Sequence, residues 1–167
     1  MQMTAKSYER LFRFFRQSPI RQTILLLAAK YLPVILAATY GIGALWLCKE
    51  RSVYLLRYLL VPAAVFLGVS VLRSAINRPR PYDQLGYEPL APAKRGKGKS
   101  FPSRHTASAF IIALALLTLS PAVGIAALTV ACLIGASRVF TGVHYPSDVL
   151  TAVVFSVVLG IFGFWIL

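Results

Sequence analysis

The chain contains two histidines, and each lies in a short polar stretch rich in groups that bind or move charge. The first is in Phe101-Pro102-Ser103-Arg104-His105. The second is in Ser137-Arg138-Val139-Phe140-Thr141-Gly142-Val143-His144-Tyr145-Pro146-Ser147-Asp148. Pro146 suits the first turn of a helix, where its missing N–H is not needed. A helix starting there puts Asp148 one turn beyond His144, so the carboxylate can reach back to one imidazole nitrogen. That contact fixes the tautomer and leaves the other nitrogen free to attack. Taken alone, the stretch also fits a plainer reading: an acid favoured in a first helical turn beside an interfacial aromatic ring.

A third stretch, just before Pro81, holds Arg73, Arg78 and Arg80. Ser103 is a natural N-cap, and the backbone N–H groups behind it point outward as a ready anion site. Arg73, Arg80 and Arg138 add guanidinium forks suited to phosphate oxygens. Two histidines flanking an anion pocket suit phosphoryl transfer. One acts as nucleophile; the other protonates the departing oxygen and later activates water.

These three stretches need elements that bring them together. The chain has 167 residues, 57% of them hydrophobic, and a mean hydropathy of +0.69. Several runs are long enough for a bilayer, which takes about 20 apolar residues per helix. The expectation is one all-α domain over 1–167, an integral membrane helical bundle. Spans are expected at about 22–47, 53–72, 102–119, 122–137 and 146–167. Ala127, Ala131 and Gly135 repeat every four residues and predict a face for close helix packing. Before the spans, residues 4–17 carry Tyr8, Leu11, Phe12 and Phe15 on one helical face and basic residues on much of the rest. That pattern predicts an interfacial amphipathic helix within 1–19. Five spans then put the amino terminus, the 73–101 segment and the 137–148 stretch on one side, so the three charge-rich stretches meet. Lys30, within the first span, either snorkels to the nearer interface or faces the bundle interior.

The formal net charge of +13 accompanies too much lipid-compatible sequence for a nucleic-acid binder. Anionic lipid or a phosphate-bearing substrate is the expected partner. Cys48 and Cys132 have no partner spacing and read as packing residues. No Asp/Glu/His/Cys cluster has metal-ligand spacing, so neither metal nor cofactor is expected. Gly98-Lys99-Ser100 looks like the end of a P-loop, but Ala93 stands where its first Gly belongs, and no nucleotide is expected. The amino terminus does not read as a cleavable signal peptide.

Arg73-x6-Arg80-Pro81, Pro102-Ser103-Arg104-His105 and Ser137-Arg138-x5-His144-x3-Asp148 together resemble, in order, the signatures of the type 2 phosphatidic acid phosphatase superfamily: K-x6-R-P, P-S-G-H and S-R-x5-H-x3-D. The resemblance covers about residues 73–148. Arg73 stands where the family usually has Lys, and Arg104 where it has Gly; the latter's side chain either adds a contact or shrinks the pocket. Arg78 belongs to no motif position and reads as a headgroup or solvent contact. The resemblance implies His144 as nucleophile forming a phosphohistidine, Asp148 supporting it, and His105 as general acid and then base. It implies phosphoryl oxygens held by Arg73, Arg80, Ser103, Arg138 and the backbone of Arg104, without metal and with inhibition by vanadate.

The expected function is a metal-independent membrane lipid phosphatase. Its substrate would be a lipid phosphomonoester or diphosphate, such as phosphatidic acid, phosphatidylglycerol phosphate or a polyprenyl diphosphate. A non-catalytic anionic-lipid-binding membrane protein is the alternative. The chain would be multi-pass in the cell membrane with its site at the surface. Positive-inside counting puts that site in the cytoplasm, but several of the counted cations are phosphate ligands. The resemblance favours the extracytoplasmic side, which is the expectation.

Overall fold

Hydroxyl residues and prolines mark the starts of most helices in this chain. In a computed structural model describing residues 4–93, 96 and 98–166, Thr4 caps α1 (Ala5–Arg16) by accepting from the Ser7 N–H. Ser18 caps α2 (Pro19–Lys49) by accepting from Arg21 N–H, with Pro19 in the first turn. Then follow α3 (Leu55–Ile76), a short α4 (Pro81–Leu85), α5 (Arg104–Leu119), α6 (Pro121–Phe140) and α7 (Pro146–Ile161). A π-helical turn, Phe162–Ile166, extends α7. No strand occurs among the described residues. The protein is an all-helical membrane bundle.

Four helices, counting the α3–α4 stretch and the α7 extension, are long and apolar enough to cross a membrane. The expected third span is the exception. With 16 residues, α5 is about 24 Å long, short of a hydrocarbon core of about 30 Å. It is also the central helix, packed against α2, α3, α6 and α7, and Ala107, Ile111, Ala113 and Ala115 along it are buried. The small-residue face of α6 performs as its spacing predicts: Ala127 and Ala131 are buried against Ala109, Ala113 and Leu116 of α5, and α6 runs close along its neighbour.

Outward faces of the long helices remain apolar, with Ile24, Val34, Ile42, Leu60, Leu67 and Val154 all exposed as lipid contact requires. Lys30 is on that outer surface, its ammonium 5.1 Å from the Tyr31 ring, so it does not face the bundle interior. α1 is amphipathic as expected, yet its aromatic face is closed by the protein itself. Tyr8 and Phe12 pack with Tyr82, Tyr87, Leu90 and Val143. Within the basic 94–99 loop, Lys94, Arg95 and Lys97 lie outside the described residues.

Candidate active site

The spacing in each stretch has a local structural cause. Arg73 sits in the last turn of α3, which ends at Asn77 in the left-handed conformation (φ 43°). Residues 78–80 then run extended into Pro81, as prolines demand of their predecessors, and Arg80 becomes the residue preceding α4. The third stretch is a helix stop followed by a helix start. α6 ends with Gly142 at φ +79°; the Gly142 N–H donates to Val139 carbonyl at 2.9 Å and the Val143 N–H to Arg138 carbonyl at 3.2 Å. This is a Schellman turn, which needs glycine at that place. A Cβ on residue 142 would also lie 2.4 Å from the Phe12 ring. His144 N–H shares the same Arg138 carbonyl at 3.2 Å. Backbone geometry therefore ties together an arginine and a histidine with five residues between them.

Four arginines and both histidines from the three stretches line one cavity of about 310 Å³: Arg73, Arg80, Arg104, Arg138, His105 and His144. Arg73 is buried and donates through one nitrogen to the carbonyls of Ser100 (3.3 Å) and Pro102 (3.0 Å). Arg80 reaches the Val143 carbonyl at 3.5 Å. Arg138 donates through Nη2 to the carbonyl of Ala29 on α2, while its buried Nε has no partner. Arg104 is exposed at the mouth, so its side chain adds a guanidinium to the rim. Ser103 stands at the N-cap of α5 without capping it by side chain; its hydroxyl instead accepts from Thr106 at 3.0 Å, and its N–H donates to the Asp148 carbonyl.

His144 is buried and faces Asp148 as the spacing predicts, Nδ1 to Oδ2 at 3.4 Å. The distance is long for a hydrogen bond. With Asp148 at Nδ1, the free lone pair is on Nε2. Burial pushes the His144 pKa below its ordinary value; the hydrogen bond to Asp148 opposes this, and Arg80 and Arg73 reinforce it. The ring is thus neutral, the form that can attack. His105 is exposed at the first turn of α5, and its ring makes no hydrogen bond among the described residues.

Two partners of Asp148 were hidden in the sequence. Arg78, expected to contact headgroups or solvent, instead binds Asp148 Oδ1 at 2.8 Å and Ser147 Oγ at 3.0 Å. Its guanidinium lies 4.2 Å from the Tyr145 ring centre. Ser100, the last residue of the false P-loop, donates its hydroxyl to Asp148 Oδ2, which also accepts the Tyr145 N–H at 3.0 Å. The fully buried carboxylate is therefore held from four sides. The one available signal for Arg78 was a second Arg-Pro pair immediately ahead of Arg80-Pro81.

Two phenols support the His144 loop from α1 and from the 86–93 segment. Tyr8 donates to the His144 carbonyl at 3.0 Å and Tyr87 to that of Gly142 at 2.8 Å. Burial pushes both phenol pKa values up, which keeps the donors protonated.

Among the described residues, no group of three or more His, Cys, Asp or Glu side chains could hold a metal ion. The chain is 35% identical over 86 residues to undecaprenyl-diphosphatase BcrC of Bacillus subtilis, covering 52% of this chain and 44% of that one. It is 36% identical over 105 residues to the lipid A 1-phosphatase of Rhizobium etli, covering 58% and 44%. The chain thus spans less than half the length of these curated relatives. Among solved structures, LpxE of Aquifex aeolicus has the same fold, with a TM-score of 0.71 at 24% identity over 96% of this chain and 98% of that one. A PAP2-type phosphatidylglycerolphosphate phosphatase of Bacillus subtilis follows with a TM-score of 0.58 at 24% identity, over 93% of each chain. Residues 54–167 match the model of the PAP2 superfamily, and with the match taking in every helix from α3 onward, the chain belongs to that superfamily.

Proposed function

We propose that the chain is a membrane lipid phosphatase working through a phosphohistidine on His144. One observation carries this reading: both histidines share a single arginine-lined cavity, and the buried one is backed by a carboxylate. In the first step, His144 Nε2 attacks phosphorus as the P–O bond to the lipid breaks, and His105 gives its proton to the departing oxygen. In the second, the now neutral His105 takes a proton from water, whose oxygen attacks phosphorus. The P–N bond breaks, and inorganic phosphate leaves. Arg73, Arg80, Arg104 and Arg138 bind the phosphoryl oxygens, whose charge is greatest while both bonds are partial. Ser103 fixes the start of α5 beside them.

A lipid substrate is supported by a second hollow of about 310 Å³, which shares Arg104 and His105 with the first and, apart from Ser108, has an otherwise apolar lining that includes Pro33, Leu36, Phe66 and Ile112. A tail fits there while the phosphate occupies the arginine cradle. The relatives' names support two substrate types, a polyprenyl diphosphate and a lipid phosphomonoester. The decisive assay is phosphate release by purified protein from phosphatidic acid, phosphatidylglycerol phosphate, lipid A and undecaprenyl diphosphate, with chelator present. Turnover of at least one, with phosphate trapped on residue 144, is expected. No release from any of them overturns the reading.

We also infer an extracytoplasmic site. In a background of Cys48→Ser and Cys132→Ala, Glu88→Cys is expected to react with a membrane-impermeant maleimide in intact cells. Labelling only after lysis places the site in the cytoplasm.

A further inference from the structure

A proline within a helix removes the N–H that would have bonded to the carbonyl four residues earlier, and its ring pushes that carbonyl aside. Two long helices of this bundle contain one: Pro33 in α2 and Pro62 in α3. Among apolar surroundings a freed carbonyl requires another donor, and each has one from a different helix. Pro62 frees the carbonyl of Tyr58, which accepts from the Tyr40 hydroxyl at 2.8 Å. Pro33 frees the carbonyl of Ala29, which accepts from Nη2 of Arg138.

The partners differ in kind. Tyr40 and Tyr58 form a reciprocal pair, Tyr58 donating back to the Tyr40 carbonyl at 3.1 Å with the rings stacked at 4.7 Å. In that pair Tyr40 is eleven positions along α2 from Ala29, and neither ring lines the cavity that holds the histidines. Arg138, by contrast, lines the cavity that holds both histidines, and its Nε is buried without a partner. A guanidinium is a rigid plane, so fixing Nη2 fixes where its other nitrogens lie.

We propose that Pro33 is a positioning residue for phosphate binding: by withholding its N–H it leaves the Ala29 carbonyl free to anchor Arg138, whose Nε then serves a phosphoryl oxygen. Backbone hydrogen bonds within α2 would otherwise consume that carbonyl. The anchor also explains a proline inside a long span where packing alone would favour leucine or alanine. This inference rests on the reading of Arg138 as a phosphate ligand.

The test measures inorganic phosphate binding to the full chain in detergent, read as the phosphate-dependent rise in unfolding temperature, so it does not depend on turnover. Pro33→Ala restores the N–H. It is expected to unfold at or above the wild-type temperature without phosphate, because alanine is the better helix former, yet to bind phosphate about 5- to 10-fold more weakly, the scale of one hydrogen bond. Pro62→Ala is expected to bind as wild type. Arg138→Ala is expected to lose about 30- to 100-fold, and adding Pro33→Ala to it should change nothing further. A general loosening of the bundle would weaken binding in both backgrounds. Wild-type affinity in Pro33→Ala, or equal losses with and without Arg138, overturns the proposal while leaving Arg138 as a ligand. Unchanged binding in Arg138→Ala overturns the underlying reading as well. Should Pro33→Ala not fold, Pro33→Ser restores the same N–H and faces the same criteria.

Discussion

His144 and His105 face one cavity from supports of opposite character. His144 is buried in a turn whose backbone is held by the Arg138 carbonyl, by Tyr8 and by Tyr87. Its ring is backed by a carboxylate that accepts from three further donors, Arg78, Ser100 and the Tyr145 N–H. His105 stands exposed at a helix start, its ring without a hydrogen-bond partner among the described residues. The contrast matches the two roles proposed. A nucleophile attacks along one line, and preorganisation at that atom lowers the barrier directly. An acid that becomes a base must serve two different oxygens, the departing one and that of water, and needs freedom to do so.

The sharpest way to break this contrast is to remove each ring in turn. His144→Ala is expected to lose about 10⁴-fold or more in kcat and to yield no phosphorylated protein on acid-free quenching. His105→Ala is expected to lose about 10²- to 10⁴-fold with lipid substrates, but still to accumulate phosphohistidine from an aryl phosphate whose leaving group needs no proton. If neither variant traps phosphate, the two rings do not divide the work in this way.

Arg78 probes how far the rigidity behind His144 extends. Arg78→Ala leaves Asp148 Oδ1 without its 2.8 Å partner in a fully buried position. Because the arginine is itself partly exposed, the expected loss is about 2–3 kcal/mol of stability, together with a fall of about 10-fold or more in kcat. Wild-type unfolding in this variant would return Arg78 to the role of a headgroup contact. Tyr8→Phe removes a single neutral hydrogen bond to the His144 carbonyl, worth about 0.5–1.5 kcal/mol. A few-fold fall in kcat is expected, with KM unchanged. An equal effect from Tyr40→Phe at the other end would show that the phenol acts through general stability.

A pH profile sharpens the comparison without mutation. The pKa of His144 is lowered by its burial, so the neutral, attacking form persists as pH falls through the usual imidazole value of about 6.5. It is lost only at lower pH. The acid limb of kcat/KM is therefore expected below 6.5. A limb at or above that value would mean that His144 is not so enclosed during turnover.

Much of this was legible in the sequence because it is local. Hydropathy located the apolar helices, Ser18-Pro19 and Pro146 marked helix starts, and a four-residue offset joined His144 to Asp148. The cavity members were legible because three short spacings had to converge on one face. What was not legible depends on contacts across the chain. Arg78 and Ser100 are separated from Asp148 by 70 and 48 positions, and neither residue type alone announces a carboxylate partner. The aromatic face of α1 announced an apolar partner, but periodicity cannot tell lipid from Tyr87 and Val143. The span expected over 102–119 begins two residues late in the structure, where Ser103 stands as the N-cap and α5 starts at Arg104.

The anchor on α2 has a genetic consequence. Because Arg138 is held by a peptide oxygen, the group it binds is not encoded by residue 29, where any small side chain supplies the same atom. It is encoded four codons later, by the absence of a hydrogen. Among closely related chains that keep Arg138, variation should be tolerated at 29 and purged at 33, and a mutational scan of α2 would read out that asymmetry directly.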